Sequence, residues 1–375
     1  MKNCTRWRFR SREETSNSML WYSKVLRRTT CRKQTLTISS LPDSILLHLF
    51  SFLTFLELCK ISRVCKRWYI LSKDFSLHRV IELREYSITI SQVKQLIYQH
   101  FNSFLVELHL RGQSRSLWLT PFTPKTLAKL QKFSPNLRCL IMEDCNFRSL
   151  KSEKCVKLQD FPCTLHHLSI RNSIIDRSVF FCTNNVKPFT FNLEILDLGR
   201  CVYLADGNIE QWPYLPQLKE LFLEGCPFID KHLLESIMGL QRTLNVLDIE
   251  GSYGFETAVS IIGENTVNLK ELYVGCTLTK DCSLLLVTKG MFKHLKKLCL
   301  SETRVTDTGL EHLTSVVLSL TWLKLDMTRV SNQCIKNMKG LLPDIVVIKN
   351  TNVTVFRVFR NEGCAHYRNK VHYLM

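Results

Sequence analysis

The sequence predicts an α/β protein in two folded parts: an N-terminal helical hairpin, then a right-handed solenoid with parallel strands on its concave face and helices on its convex face. Three observations carry this. The pattern L-x-x-L-x-L, with Met, Ile or Val allowed at the last place, occurs nine times. From Leu193 onward the copies recur at a nearly constant spacing of about 25 residues, a period that marks stacked coils. The stretch from Ser40 to Trp68 is instead apolar with a period near 3.6, which marks helices rather than strands.

The copies begin at Leu105, Leu137, Leu165, Leu193, Leu218, Leu244, Leu269, Leu295 and Leu320. Weaker versions at Val80-x-x-Leu83 and Ile345-x-x-Ile348 stand one such period outside each end, where the capping coils of a solenoid belong. Eight places after most first leucines stands a small polar residue: Cys145, Ser173, Cys201, Cys226, Ser252, Thr277, Thr303 and Thr328. A small side chain there can turn inward and satisfy the backbone of the neighbouring coil. These cysteines therefore have a structural task rather than a catalytic one.

Helix starts follow the turns. Ser, Thr, Asp or Asn before an apolar run of period 3.6 marks each one. Thr306-Asp307 precedes Leu310 and Leu313, and Asp230 precedes Leu233, Leu234 and Ile237. Thr279-Lys280-Asp281 precedes Leu284, and Ser331-Asn332 precedes Ile335 and Met338. One strand and one helix in each such period is the cysteine-containing type of leucine-rich repeat. Parallel strands stack at about 4.8 Å while packed helices need about 8–10 Å, so the array bends into a horseshoe with strands inside. The early intervals, from Leu105 to Leu137 and from Leu137 to Leu165, are longer than the later ones. Their excess predicts loops around Gln113 to Pro124 and Asn146 to Gln159, on a rim where solenoids often bind partners.

Between the buried leucines, side chains alternate toward the concave side. In the copies starting at Leu193, Leu218, Leu244 and Leu269 these read Ile195, Asp197, Gly199; Glu220, Phe222, Glu224; Val246, Asp248, Glu250; and Glu271, Tyr273, Gly275. Six are acidic and none is basic, a local reversal of sign in a chain of net charge +18. The reading is a surface for a basic segment of another protein. Asp197, Glu220, Glu224, Asp248, Glu250 and Glu271 supply the charge, and Phe222, Tyr273 and Trp322 supply apolar anchors. The competing reading is solubility, since exposed strand positions are ordinarily polar. The segment from Thr351 to Met375 could also fold over Trp322.

The helical hairpin divides at Leu53-Thr54. Ile45, Leu46, Leu49, Phe50, Phe52 and Leu53 crowd the first helix, with Pro42 in its opening turn. Thr54-Phe55-Leu56-Glu57 fits a capping box, flanked by Leu53 and Leu58 as its hydrophobic staple. Ile61, Val64, Cys65 and Trp68 then continue one stripe along a second helix. A pair of about 30 residues is too small to sustain its own core, so this surface needs a flanking domain or a partner. Leu41-Pro42-Asp43, the apolar run to Leu53, Leu58 and Val64-Cys65-Lys66-Arg67-Trp68 resemble the F-box motif.

With the repeats, the chain resembles the F-box/leucine-rich-repeat family of substrate receptors over about residues 40–350. That resemblance implies a non-catalytic subunit of a ubiquitin ligase. Leu41, Pro42, Ile45, Leu46, Leu49, Phe50, Val64, Cys65 and Trp68 would contact or support a Skp-family adaptor, which hangs from a cullin scaffold. The array would hold a protein substrate for ubiquitination and proteasomal degradation, a RING subunit would bring the loaded enzyme, and catalysis would be proximity. The resulting organisation is a disordered basic tail over 1–39, the F-box over 40–77, the repeats over 78–350 and a basic, aromatic tail over 351–375. Exposed apolar surface is expected at Leu41, Pro42, Ile45 and Phe50.

Ten basic residues stand against Glu13 and Glu14 in residues 1–35. A tail of that composition suits a nuclear address, a phosphate-seeking arm, an imperfect transit peptide or simple solvation. It also supports a rival reading as a nucleic-acid binder, against which the acidic inner face argues. A second rival is a repeat scaffold or inhibitor without ubiquitin transfer. Sixteen cysteines without a signal-peptide pattern indicate free thiols in a reducing compartment, cytoplasmic or nuclear. No C-x-x-C pair occurs, and neither Cys139 with Cys145, Cys276 with Cys282, nor Cys364-Ala-His366 has zinc spacing, so no metal site is expected. No cofactor is expected either: the glycines form no phosphate-binding loop, and the eleven histidines join no catalytic constellation. The run from Ile45 to Cys59 is broken by His48, Ser51, Thr54 and Glu57 and falls short of the roughly 20 residues that span a membrane.

Overall fold

A computed structural model describes residues 37–350 except 113–121, 148–154, 176, 182–191, 204–214, 227–228, 230, 241–242 and 253–255. Residues 1–36 and 351–375, the cap at Asp230 and most of the two predicted early loops lie outside the described residues, while the end of the tail expected to be disordered forms a 3-10 turn over Ile38–Ser40.

The N-terminal module is three short helices rather than two: α1 (Asp43–Phe50), α2 (Phe55–Ile61) and α3 (Lys66–Leu71). The capping box forms as expected. Thr54 Oγ1 accepts from Glu57 N, and Glu57 Oε2 accepts from Thr54 N at 2.8 Å. The stripe expected to run unbroken to Trp68 is interrupted because Cys65 is extended (φ −156°, ψ 168°) and starts a new helix, its sulfur accepting from Trp68 N. Leu46, Phe50, Leu58 and Leu71 form the module's own core, with Leu53, Ile61 and Trp68 packed around it. Phe55 points the other way, into the core of the repeats, so α2 is the joint between the two parts.

The repeats build a sheet of eleven strands, all parallel. In chain order the described strands and helices begin with β1 (Val80–Ser87), α4 (Ile90–Gln99), β2 (Glu107–Arg111), α5 (Pro124–Phe133), β3 (Cys139–Glu143) and β4 (His167–Ser169). The short strands β5 (Ile174–Ile175) and β7 (Val202–Tyr203) pair separately, and α6 (Arg177–Phe180) and β6 (Ile195–Asp197) lie between them in sequence. Then come β8 (Glu220–Phe222), α7 (Lys231–Leu240), β9 (Val246–Asp248), α8 (Ala258–Asn265), β10 (Glu271–Tyr273), α9 (Asp281–Leu285) and β11 (Lys289–Phe292). The chain closes with β12 (Lys297–Cys299), α10 (Asp307–Val316), β13 (Trp322–Lys324), α11 (Asn332–Leu341) and β14 (Val346–Ile348).

The second leucine of every repeat stands in register with the next, from Leu108 opposite Leu140 to Leu298 opposite Leu323. One continuous core runs beneath them, from Phe55 to Ile345. Both terminal outliers are indeed strands, but displaced. Ile81, not Leu83, pairs with Leu108, and Val347, not Ile348, pairs with Leu323. The end coils meet only one neighbour each, so the inner spacing is not enforced on them.

Each repeat from Leu137 onward leaves its strand through one residue in the left-handed region: Asp144, Asn172, Arg200, Gly225, Gly251, Cys276, Glu302 and Met327, with φ between 52° and 65°. The small polar residue follows at once. Cys201 and Cys226 donate from sulfur to the carbonyls of Ile170 and Leu198, and Ser252 donates to Leu223, each in the preceding repeat. Ser173 likewise accepts from Cys145 N and donates to Met142. Thr277, Thr303 and Thr328 depart from the expectation by donating back to their own repeats, to Val274, Leu300 and Leu325.

Candidate functional site

The helical module shows two opposed faces. Leu46 and Phe50, one turn apart on α1, are 0% and 3% exposed and face Leu58 and Leu71. Ile45 and Leu49, on the other side, are 46% and 42% exposed. Phe50 is therefore corrected from an exposed contact to a core residue, its ring held edge-to-face by Trp68 at 5.2 Å. Leu46 is likewise support and not surface. Pro42, Val64 and Cys65 are exposed, while Leu41 and Trp68 are half-buried. Phe52, 74% exposed, and exposed Tyr69 and Ile70 were not among the expected contacts. The signal for Phe52 was present, since it follows Ile45 by two helical turns and so falls on the same side.

The central concave face is more closed and less acidic than the alternation rule implies. Asp197, Phe222, Asp248 and Tyr273 are buried, which corrects their placement on an open surface. Phe222, Val246, Tyr273 and Cys299 form an apolar floor, with Ile195 and Trp322 at its margin. The rings of Tyr273 and Trp322 lie 6.4 Å apart. Neighbouring turns also deliver basic side chains that the four-repeat alternation did not include. Arg171 reaches Asp197 at 3.2 Å and Glu224 at 2.5 Å, and Arg200 reaches Glu224 at 3.0 Å. Glu271 accepts from Lys297 Nζ at 2.9 Å and from the Tyr273 hydroxyl at 2.7 Å.

Burial alone would lower the Arg171 pKa, but Asp197 and Glu224 raise it overall. Asp248 is pushed well above the usual carboxylate range, by burial first and then by Glu250. Glu220, Glu224, Glu250, Glu271 and Trp322, the other members of the predicted set, are half-buried.

At the other end of the same face, β1 to β4 gather a different chemistry. Strand register places Glu107, Cys139 and His167 in one row and Glu82 beside His109 in the next. His109 Nδ1 donates to Glu82 Oε2 at 2.6 Å. Its Nε2 faces Cys139 Sγ at 3.8 Å and Glu107 Oε2 at 3.7 Å. His167 Nδ1 approaches the same sulfur at 3.5 Å. Burial raises the pKa of Glu82, but hydrogen bonds from His109 and Arg84 outweigh it and hold the carboxyl at about 2. Burial pushes the Cys139 thiol up to about 12 and, aided by His109, the His167 imidazole down to about 4.

The chain thus joins a capped helical module to a stack of strand–helix coils. Residues 38–84 match the F-box-like family model. The chain is similar to F-box/LRR-repeat protein 12 of Bos taurus, 28% identical over 284 residues that cover 74% of this chain and 76% of that protein. The Homo sapiens protein of the same name is 28% identical over 283 residues, 73% of this chain and 74% of its own length. Among solved structures, a chain of the yeast Rad7 and Elc1 complex superposes with a TM-score of 0.45 and 15% identity, covering 84% of this chain and 87% of that one.

Proposed function

We propose that this protein is the substrate-recognition subunit of a Skp, cullin and F-box ubiquitin ligase. The observation that carries the reading is the outward side of α1, where Ile45 and Leu49 stay in solvent although α1 packs its opposite side into a complete core. Exposed apolar surface on a module that already has its core calls for a second protein. A Skp-family adaptor is the occupant that the F-box resemblance implies, with cullin and RING subunits attached through it. Pro42, Ile45, Leu49, Val64 and Cys65 are assigned to contact it, and Leu41, Leu46, Phe50 and Trp68 to support it. The concave face of the repeats is assigned to hold the protein substrate, with half-buried Glu220, Glu250 and Trp322 on it and the buried floor of Phe222 and Tyr273 beneath.

Co-purification tests the first half. Ile45→Asp with Leu49→Asp should lose the adaptor without loss of the cooperative thermal transition, since neither side chain is in the core. Undiminished adaptor capture by the double variant refutes the docking surface. For the second half, Trp322→Ala with Glu220→Lys should reduce ubiquitination of captured substrates while adaptor binding is unchanged.

A further inference from the structure

We propose that Glu107, His109 and Cys139 bind one zinc-class divalent cation on the concave face of β2 and β3, with Glu82 orienting His109 from outside the coordination shell. The inference does not depend on adaptor docking or on substrate capture.

The ligand atoms of Glu107, His109 and Cys139 all lie within 4.8 Å of one another. Around a zinc ion bound at about 2.0–2.3 Å, tetrahedral ligand atoms stand roughly 3.3–3.8 Å apart. The separations here are 3.8 Å from Cys139 Sγ to His109 Nε2 and 3.7 Å from His109 Nε2 to Glu107 Oε2. They match the edges of such a shell.

The tautomer is also prepared. In the neutral ring, Glu82 accepting the Nδ1 proton of His109 leaves the lone pair on Nε2, which faces the sulfur. A carboxylate behind a ligating histidine is the common outer arrangement of metal sites. Arg84, the neighbouring cation, pairs with Glu82 at 2.8 Å and with Glu143 at 3.7 Å, which holds Glu82 in place.

Softness of the donors sets the class of ion. One thiolate and one imidazole favour zinc and its first-row neighbours over magnesium or calcium. Three protein ligands would leave the fourth position to water, and the ion would tie β2 to β3. Cys139 would bind as thiolate, its thiol proton passing to solvent. The cysteine spacing in the sequence conceals this, because the ligands come from successive strands and only the sheet register brings them together.

The test uses the purified full-length chain, stripped by a chelator and titrated with Co²⁺ and then Zn²⁺. One equivalent of Co²⁺ should give a thiolate-to-metal absorption band, and Zn²⁺ should displace it with a Kd on the order of 1 µM or tighter. Cys139→Ser should abolish the band, while Cys163→Ser, an exposed cysteine outside the cluster, should keep it. Glu82→Gln should weaken binding about 10–100-fold. As a second measurement, Zn²⁺ should raise the melting temperature of the unaltered chain and leave that of folded Cys139→Ser unchanged. Absence of saturable binding, or an identical band in Cys139→Ser, overturns the proposal.

Discussion

Arg67 donates through Nε to Asp43 Oδ1 at 2.8 Å, tying the third helix of the F-box-like module to the start of the first. Its two other nitrogens donate to the carbonyls of Ser39 at 2.7 Å and Leu41 at 2.5 Å. A single guanidinium thus fixes the segment that carries Pro42 and the entry to α1. Its planar fork of donors allows this, and a lysine has no equivalent. Arg67→Ala should cost about 1–2 kcal/mol, since the bonds are charge-assisted but partly exposed. Arg67→Lys should recover less than half of the loss, measured by urea unfolding.

The repeat core gives a second expectation. Leu247 is fully buried between Leu221 and Leu272 in register. Leu247→Ala should cost about 2–5 kcal/mol through lost burial and the residual cavity. Thermal unfolding would show it, and a loss below about 0.5 kcal/mol would mean that the coil collapses freely around the gap.

Acid should loosen the joint between the two parts. His78 and His100 pack on Phe55, at ring separations of 5.8 and 5.0 Å. Burial lowers the pKa of both, and for His100 burial, Lys73 and His78 together bring it to about 3. Folded values below the unfolded value mean that stability is fully present above about pH 6.5 and is lost as pH falls, with a slope that reaches about 1.4 kcal/mol per pH unit for His100. Melting followed from pH 7 to pH 4.5 should show this decline. His100→Gln should flatten it, and an equal slope in that variant would contradict the assignment.

Helix-to-helix contact on the convex side leaves little room at Gly309. A Cβ built there would stand 3.0 Å from the Asp281 backbone. Asp281 also accepts from Thr306 N at 2.8 Å and from the Thr306 hydroxyl at 2.6 Å, and Asp307 repeats the bond to Ser331 N at 2.6 Å one coil later. Gly309→Ala should therefore destabilise by about 1–3 kcal/mol although alanine is the better helix former. Hydrogen exchange should localise the loosening to α9 and α10.

Local sequence was enough to read the repeat, its leucine core, the capping box at Thr54 and the helix starts at Asp281, Asp307 and Asn332. A period of burial or a cap acts within a few residues, so a short stretch contains it. The left-handed turn residues were half legible, since Gly225, Gly251, Asn172 and Asp144 are types that favour that region, while Arg200, Cys276, Glu302 and Met327 are not.

Packing in three dimensions settled which side of α1 faces solvent, because Phe50 and Ile45 are both strongly apolar and only contact with Leu58 and Leu71 separates them. It set the charge of the inner face, where Arg171 and Arg200 reach carboxylates of later coils. It also assembled Glu107, Cys139 and His167 into one row. Parallel register makes neighbours of residues about one repeat apart, and no spacing rule within a single stretch of chain contains that relation.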